Sequence, residues 1–346
     1  MDSSVAARTL IDEGHDVTGV FIKIWQPEFL ECTWERDRLS AKRVAAALAI
    51  PFREIDLSRE YKESVIADMI AGYKSGITPN PDVLCNRAIK FGAFRAWAHR
   101  EGAEKIATGH YARIVRHHKN EVSPEVSPTY LTALYKGVDA TKDQSYFLYQ
   151  LAQDDLEHAL FPIGGLQKRE VRALARRYGL PSAERPDSQG LCFVGDIEVG
   201  EFLARFIPMH EGDVRDVEGK VIGRHFGYAR YTIGQRHGFD IFNKNASDKP
   251  HYVTSIDAGQ NIVIVSDEPT HARVVSVTLS RVNWIAEPPS PVARYGVSLR
   301  YHQPPQWARI QETAGLARIL FEEPQVITPG QSAVVYDGER CLGGGI

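Results

Sequence analysis

The sequence predicts an α/β fold that starts with a doubly wound parallel sheet, continues in a small mixed domain and ends in a β-barrel. Three observations predict this. In the first half, strand-like segments alternate with helical ones, which is typical of a parallel sheet covered by helices. After about Pro181, glycines and turn pairs become frequent. From Arg273 onward, nearly every segment has the β-branched and aromatic character of a strand.

The elements can be assigned in order along the chain. Hydrophobic periodicity predicts helices in segments 3–14, 39–49, 60–76, 87–102, 151–160 and 168–179. β-branched and aromatic runs predict strands in segments 16–25 and 105–115, and the Ser- and Pro-rich segment 119–129 is predicted to be an exposed loop. Later strands are predicted in segments 220–234, 251–259, 260–266, 273–284, 292–302, 307–315, 317–323 and 331–345, the last with a hairpin at Asp337-Gly338. We therefore expect three domains, comprising residues 1–181, 182–265 and 266–346.

Composition excludes several classes of protein. Of the 346 residues, 43% are hydrophobic and 25% are charged, as in ordinary globular proteins. The 41 Lys and Arg against 44 Asp and Glu give a net charge of −3, which excludes a uniformly basic nucleic-acid coat but not a local basic groove. No apolar run reaches the ~18 residues of a membrane span, and no secretory signal pattern is present. We expect a cytoplasmic protein without a membrane partner.

Two of the four cysteines lie in segments that suggest chemistry. No Cys-x-x-Cys pair or other zinc-ligand spacing is present, so no metal site is expected. Cys85 follows a proline-rich turn and precedes a predicted helix with Arg87 and Lys90, a position expected to lower the pKa of a thiol. Cys192 lies in a glycine-containing loop. The alternative for both is a small, buried, apolar residue.

Two polar residues near the ends of predicted elements are further candidates. Asp82, three residues before Cys85, is placed to act as a general acid or base beside the thiol, or only to cap the turn after Pro81. His110 follows Gly109 at the end of a predicted parallel strand, where α/β folds place ligand sites. For a lone histidine, a structural role is equally plausible.

Basic residues are concentrated in two short segments. Lys168, Arg172 and Arg176 recur every four residues and form one helix stripe, which Arg169 and Arg177 widen. A second concentration comprises Arg113, Arg116, His117, His118 and Lys119. Such runs are usually solvated faces, but they also allow a groove that binds a polyanion.

Six sequence blocks resemble those of the tRNA-specific 2-thiouridylase family, in the family's order. They are TPNPD-x-x-CN-x-x-IKF, IATGHYAR, KDQSYFL, DSQGLCFVG, YTIGQR and PGQSAVVYDGE-x-CLGGG. The resemblance runs from Asp2 to Ile346. It implies an N-terminal ATP-pyrophosphatase domain of the adenine nucleotide alpha hydrolase-like type, a central domain with the second cysteine, and a C-terminal β-barrel.

The resemblance also implies an activity. The family makes 2-thiouridine at the wobble position of tRNA: the uridine O2 is adenylated by ATP, pyrophosphate leaves, and a persulfide sulfur attacks C2 with release of AMP. By this resemblance Cys192 carries the persulfide, Cys85 is the nucleophile that partners it through a transient disulfide, and Asp82 is the acid or base. The implied cofactor is ATP with Mg²⁺. The implied partners are tRNA and a donor protein that supplies persulfide sulfur, and a monomer is expected.

The binding residues implied by the resemblance fall into two sets. Those implied for ATP are Asp2, Ser3, Ile22 and Gly109. Those implied for the target base and the rest of the tRNA are Asn80, Pro81, Asp82, His110, Lys142, Asp143, Gln144, Arg300, Tyr301 and Gln331. Because a base of a stacked anticodon loop must be turned out into a pocket before it reacts, we expect Cys85 and Cys192 to line one cavity.

The chain departs from the family pattern at its first residues. Where the family has a strand followed by SGGVDSS, this sequence starts Met1-Asp2-Ser3-Ser4. The family's glycines let backbone N–H groups approach phosphates at a helix N-terminus, so we expect weak nucleotide binding without them. Two explanations stay open. One is a start codon assigned too far downstream, which we favour because the later blocks look intact; the other is a degenerate protein that no longer binds ATP.

We therefore expect an ATP-dependent tRNA-uridine 2-sulfurtransferase. The alternative is a tRNA-binding homologue without catalysis, inactive because its ATP loop is truncated. A third hypothesis is a different ATP-pyrophosphatase, such as an amidating ligase, which would need neither Cys85 nor Cys192.

Overall fold

The computed structural model describes residues 1–29, 34–118, 130–186, 198–243, 249–268, 273–313 and 315–346. The predicted loop 119–129, with Lys119, and the predicted persulfide carrier Cys192 lie outside the described residues.

Helices cluster in the first 180 residues, as the hydrophobic periodicity predicts. They are α1 (Asp2–Asp12), α2 (Trp34–Ala47), α3 (Ser58–Tyr61), α4 (Ala67–Lys74), α5 (Pro81–Leu84), α6 (Arg95–Arg100), α7 (Gln153–Glu157) and α8 (Lys168–Arg177), followed in the central region by α9 (Val199–Leu203). π-helical segments Lys62–Ile66 and Cys85–Phe94 connect α3 to α4 and α5 to α6 without a break. Short 3₁₀ helices span Ser145–Leu148 and Tyr228–Arg230.

Strands dominate the second half. In chain order they are β1 (Gly19–Lys23), β2 (Phe52–Asp56), β3 (Ile106–Ala107), β4 (Ala112–His118), β5 (Tyr130–Lys136), β6 (Ala159–Leu160), β7 (Glu211–Arg215), β8 (Val221–Phe226), β9 (Asp240–Ile241), β10 (Tyr252–Asp257), β11 (Ile262–Ser266), β12 (Arg273–Leu279), β13 (Asn283–Trp284), β14 (Tyr295–Ser298), β15 (Gln306–Thr313), β16 (Leu316–Val326), β17 (Ala333–Asp337) and β18 (Arg340–Gly345).

These strands form four sheets within the described residues. Two are short parallel pairs among the N-terminal helices, β1 with β2 and β3 with β6. The central region forms a five-stranded sheet in the order β10-β11-β7-β8-β9. The fourth is a nine-stranded sheet in the order β12-β16-β15-β14-β17-β18-β5-β4, with β13 paired to β18.

The predicted single strand in segment 105–115 is wrong in one respect. The segment contains two strands, because the chain turns between β3, which pairs in parallel, and β4, which joins the antiparallel sheet. Gly109 lies in this turn, where a Cβ would be only 2.6 Å from the backbone nitrogen of Ser3. That close approach depends on residues far apart in the sequence, so local periodicity gave no sign of it.

The nine-stranded sheet continues across the predicted domain limits. β4 and β5 belong to the N-terminal region, yet β5 pairs with β18 through Tyr135 opposite Arg340 and Leu134 opposite Cys341. The largest hydrophobic core follows the same path: it packs Ile89 and Leu134 together with residues of β17 and β18. The N-terminal helices and the C-terminal sheet therefore share one core.

Helix α1 packs against α8 through a smaller core that includes Val5, Tyr111 and Val171, each at most 3% exposed. Two further cores lie inside the C-terminal and central sheets. Among the described residues, none of the helices has the length and apolar character that spanning a membrane requires.

Candidate functional site

Residues 78–82, which we call the proline loop, lead directly into the helix that carries Cys85. Asn80 caps this helix, since its side-chain Oδ1 accepts a hydrogen bond from the backbone N–H of Val83 at 3.4 Å. Pro81 takes the first helical position, where a missing N–H costs nothing. The helix therefore begins at Pro81, before Cys85 and not after it as predicted.

The pKa of the Cys85 thiol is shifted in the direction opposite to the prediction. Cys85 is 1% exposed and belongs to the largest hydrophobic core. Burial raises its pKa to about 11; the carboxylate of Asp82 adds to this shift, and the ammonium of Lys90 opposes it. The expected lowering of the pKa is wrong because the loss of solvation outweighs the nearby cation.

A cavity of about 310 Å³ lies beside the proline loop. Its walls are Pro79, Asn80, Pro81, Asp82, Tyr146, Phe147, Val199, Tyr301 and Gln331. Five of these residues were predicted to contact the target base or the tRNA, and they come from segments more than 200 residues apart. The structure thus brings Asn80, Pro81, Asp82, Tyr301 and Gln331 together around one space.

Asp82 lines this space, and one of its carboxylate oxygens lacks a hydrogen bond. Its Oδ1 atom is buried and accepts no hydrogen bond from any described residue. A buried carboxylate oxygen without a donor is costly, and such atoms in folded proteins usually have a functional explanation. In the structure this oxygen has almost no accessible surface, so a ligand that carries an N–H or O–H group would reach it only if the Asp82 side chain rotates.

Aromatic rings form the opposite side of the cavity. The rings of Phe147 and Tyr301 have centroids 4.4 Å apart, and the ring of Tyr146 lies 5.4 Å from that of Phe147. Burial raises the pKa of Tyr301 to about 12, with added repulsion from nearby carboxylates, so its hydroxyl stays protonated. Aromatic rings beside a carboxylate suit a flat, hydrogen-bonding ligand such as a nucleobase.

Two of the predicted tRNA residues, Gln331 from this cavity and Arg300 outside it, are hydrogen-bonded to other segments of the chain. Gln331 donates from Nε2 to the carbonyl oxygens of Thr78 at 2.9 Å and Pro79 at 3.1 Å. Exposed Arg300 donates to the carbonyl oxygen of Ile233 at 2.9 Å and to Oγ1 of Thr328 at 2.7 Å.

Three of the four predicted ATP residues lie together at the start of α1. Gly109 packs against the backbone of Asp2 and Ser3 so closely that only glycine fits. The carboxylate of Asp2 accepts hydrogen bonds from the Tyr111 hydroxyl at 2.9 Å and from Nζ of Lys168, 2.9 Å from each oxygen. The Lys168 ammonium is thus already paired with Asp2, and the close packing of Gly109 fills the space beside the start of α1. The fourth residue, Ile22, lies on β1 opposite Ile55 and packs against the largest core.

His110 is placed differently from the prediction of a tRNA contact. It is 6% exposed, lies against the rings of Phe91 and Phe161, and forms a 2.7 Å hydrogen bond with Oγ1 of Thr108. Burial holds its pKa well below the usual value, and Lys90 adds to this effect, so the imidazole is neutral. So little exposed surface agrees with the structural role that was the alternative prediction.

The predicted Lys142-Asp143-Gln144 segment is a turn that organises the backbone. Asp143 accepts hydrogen bonds from the backbone N–H of Gly137 at 2.9 Å and of Ser145 at 3.1 Å. Gln144 accepts one from the backbone N–H of Tyr111 at 3.1 Å. Lys142 is half-buried in the same turn. The turn also sets the start of the 3₁₀ helix that carries Tyr146 and Phe147 to the cavity.

The predicted basic stripe on α8 is largely engaged within the chain. Lys168 pairs with Asp2, Arg176 pairs with Glu184 at 2.7 Å, and Arg172 donates to the carbonyl oxygen of Ala183 at 2.9 Å. In the second basic segment, Arg113 pairs with Glu339 at 2.6 Å. These contacts leave less positive charge for a polyanion than the sequence alone indicates.

The structure adds residues that sequence reasoning missed. Tyr146, Phe147 and Val199 line the cavity, and the first two lie in the quoted block KDQSYFL, whose aromatic pair was the available sign. Val199 lies at the start of α9, in the central region. Among the described residues, no group of three or more His, Cys, Asp or Glu side chains is placed to hold a metal ion.

Comparison with known proteins covers the whole chain. Three family profiles match in succession. The profile described as "tRNA methyl transferase HUP domain" matches residues 1–196, the one described as "tRNA methyl transferase PRC-barrel domain" matches residues 200–267, and the one described as "Aminomethyltransferase beta-barrel domain" matches residues 274–346. The predicted order of an α/β nucleotide-type domain, a small central domain and a C-terminal β-barrel is therefore confirmed.

Curated relatives point to the same family. The tRNA-specific 2-thiouridylase of Methylobacillus flagellatus is 42% identical over 354 residues, which cover 100% of this chain and 95% of the relative. Those of Pseudomonas aeruginosa and Dichelobacter nodosus are 41% and 40% identical, and each match covers 100% of this chain and 91% of the relative. The chain belongs to the tRNA-specific 2-thiouridylase family, whose members are sulfur-transferring enzymes.

Proposed function

We propose that this protein is a cytoplasmic enzyme that uses ATP to replace the C2 oxygen of the wobble uridine in tRNA with sulfur. The observation that carries the proposal is the cavity beside the proline loop. There, aromatic rings and Asp82, which has one buried carboxylate oxygen without a hydrogen bond, line the same space, one helical turn before a buried cysteine. Family membership supplies the reaction type, and the cavity supplies a place for the base.

The first half of the proposed reaction is adenylation of the uridine. The base, turned out of the anticodon loop, enters the cavity and stacks on Phe147 and Tyr301. Asp82 accepts the N3 proton while O2 attacks the α-phosphate of ATP, and pyrophosphate leaves. Because oxygen bound to C2 is a poor leaving group, this step is needed to convert it into AMP, which leaves readily. Asp2, Ser3 and Gly109 are the residues proposed to hold the nucleotide with Mg²⁺.

The second half is sulfur transfer. The terminal sulfur of a persulfide on Cys192 attacks C2, AMP leaves, and the base becomes linked to Cys192 through two sulfur atoms. The thiolate of Cys85 then attacks the Cys192 sulfur, which releases 2-thiouridine and leaves a disulfide between the two cysteines. Since burial raises the pKa of Cys85 to about 11, a base must take its proton first. We propose that Asp82, one turn earlier on the same helix, first releases the N3 proton to solvent, then takes the Cys85 proton and passes it to the departing 2-thiouridine.

The proposal includes partners that the chain must meet in turn. Persulfide sulfur comes from a donor protein, which must reach Cys192 before or after the tRNA binds. Each catalytic cycle leaves a disulfide that a reductant must open again. We propose that the protein does this as a monomer, with Arg300 contacting the tRNA outside the base itself.

The test is direct detection of the product. The protein is incubated with ATP, Mg²⁺, a persulfide source and an unmodified tRNA transcript, and the digested nucleosides are analysed by mass spectrometry for 2-thiouridine. We expect product from the unchanged protein and from the control variant Cys341→Ala, since Cys341 lies in the core under β18. We expect none from Cys85→Ala or Cys192→Ala. Product from either variant would contradict the relay, and tRNA binding without product would support the non-catalytic alternative.

A further inference from the structure

The proline loop has few hydrogen-bond donors of its own. Pro79 and Pro81 have no backbone N–H, so the backbone cannot hold the loop through the usual pattern of a turn. The N–H of Thr78 donates outside the loop, to the carbonyl oxygen of Pro329 at 2.9 Å. The position of this loop therefore depends on groups supplied from elsewhere in the chain.

Gln331 supplies the missing donors. Its side-chain Nε2 donates to the carbonyl oxygens of Thr78 at 2.9 Å and Pro79 at 3.1 Å. A side-chain amide has two N–H donors, so both are engaged in holding the loop. The amide is therefore not a free donor that waits for a ligand.

The backbone at Gly330, next to Gln331, also lies in close contact with the proline loop. Gly330 has a left-handed φ of +90°, and a Cβ at this position would lie 2.8 Å from the carbonyl oxygen of Thr78. Only glycine lets the two backbones approach so closely. On the other side of the loop, Oγ1 of Thr78 lies 3.1 Å from Oγ1 of Thr232 in the central region. The loop is thus held between the central and C-terminal regions.

We propose that Gln331 is a positioning residue: it sets the place of Asp82 and the start of the Cys85 helix by holding the carbonyl groups of Thr78 and Pro79. This inference rests on the proposed function, and it assigns Gln331 a different role from the tRNA contact implied by the resemblance. The C-terminal region thereby contributes to catalysis without a reacting group. Small displacements matter, because a shift of about 1 Å can slow an enzymatic reaction on the order of 10²-fold.

The test compares Gln331→Glu with the matched control Gln311→Glu. A glutamate at 331 cannot donate to the two carbonyl oxygens, whereas Gln311 is exposed on β15 and the same change there adds the same charge. Three quantities are measured: hydrogen exchange of the peptide around residues 77–85, the dissociation constant for tRNA, and the single-turnover rate of thiolation. The first needs no activity.

For Gln331→Glu we expect faster exchange in that peptide, a rate reduced on the order of 10²-fold, and a tRNA dissociation constant within about 2-fold of the unchanged protein. The control should change none of the three. Weaker tRNA binding with unchanged exchange would overturn the proposal and restore the direct tRNA contact. If Gln331→Glu does not fold, Gln331→Met of similar volume is measured in its place, with the same expected and contrary results.

Failure of the proposed function is a separate outcome. If the unchanged protein forms no 2-thiouridine, the proposed function fails whatever Gln331 does. Unchanged exchange in the Gln331 variant of an active protein would overturn the positioning role alone.

Discussion

Asp82 and Cys85 are three residues apart on one helix, so their side chains share a face, yet burial affects them differently. Burial raises the pKa of the Cys85 thiol to about 11. Asp82 instead keeps one carboxylate oxygen buried without a donor, at the wall of a cavity. A neutral thiol is a weak nucleophile. The nucleophile of the resting site is therefore protonated, which fits a cysteine needed only in a late step.

The raised pKa of Cys85 predicts how fast its thiol reacts with an alkylating reagent at each pH. Because burial raises the pKa, the reactive thiolate is scarce at pH 7, and alkylation by iodoacetamide should rise with pH until about pH 11. Timed alkylation followed by peptide mass spectrometry measures the rate at Cys85 alone. Cys341, whose pKa burial raises to about 12, should react more slowly still at each pH. A Cys85 rate that levels off below pH 9 would contradict this state of the thiol.

The substitution Asp82→Asn separates function from stability. We expect the thiolation rate to fall by ~10²–10⁴-fold, the usual effect of removing a general base. The free energy of unfolding should stay the same or rise by up to about 1 kcal/mol, because the unpartnered charge disappears. Product assays and urea unfolding measure the two effects.

Asp143→Asn is the contrasting control for stability. Both carboxylate oxygens of Asp143 accept hydrogen bonds, from the backbone N–H groups of Gly137 and Ser145 and from the Ser145 hydroxyl. This variant should therefore lose stability, by about 1–3 kcal/mol. An Asp82→Asn protein with a full thiolation rate would exclude Asp82 as the base.

At the scale of elements, local sequence patterns predicted the helices and turns that depend mainly on neighbouring residues. Helix α8 was predicted at 168–179 and spans Lys168–Arg177, and the Asp337-Gly338 turn joins β17 to β18. The start of the Cys85 helix was placed too late, although Asn80 before Pro81 is a recognisable capping pattern. β5 went unpredicted, since its place in a sheet depends on β18, which follows about 200 residues later.

The contact between α1 and α8 gives an element-scale prediction. Lys168, the first residue of α8, donates to both carboxylate oxygens of Asp2, the first residue of α1, and the two side chains are 15% and 32% exposed. Lys168→Met should lower the free energy of unfolding by about 1–3 kcal/mol, because the half-buried carboxylate loses its ammonium partner and keeps only the Tyr111 hydroxyl. Urea unfolding measures the loss, and adding Asp2→Asn should restore part of it.

Arg176→Met is the matched control on the same helix. Arg176 pairs with Glu184, but these side chains are 60% and 72% exposed. Since exposed ion pairs contribute little, the change should be within about 1 kcal/mol. If Lys168→Met and Arg176→Met lowered the free energy of unfolding equally, the ion pair between α1 and α8 would stabilise the protein no more than an exposed pair does.

At the scale of the whole molecule, the candidate site is assembled from all three regions. The cavity walls include the proline loop from the N-terminal region, Val199 from the central region, and Tyr301 and Gln331 from the C-terminal region. Sequence blocks identified most of these residues one by one. Their meeting point could not be predicted from spacing, because it depends on the sheet that joins β5 to β18 and on the core beneath it.

This shared sheet predicts that the C-terminal region cannot be removed. Without residues 274–346, β5 would lose its partner β18, and apolar residues such as Leu134 and Leu148, both fully buried now, would be exposed. An unpaired strand edge above an open core favours aggregation. The fragment 1–267 should therefore be aggregated or unfolded in size-exclusion chromatography and hydrogen exchange, while the chain 1–346 unfolds with protection shared by β5 and β18. A soluble, monomeric fragment with native protection in β4 and β5 would show instead that the N-terminal region folds alone and that the C-terminal sheet only docks onto it.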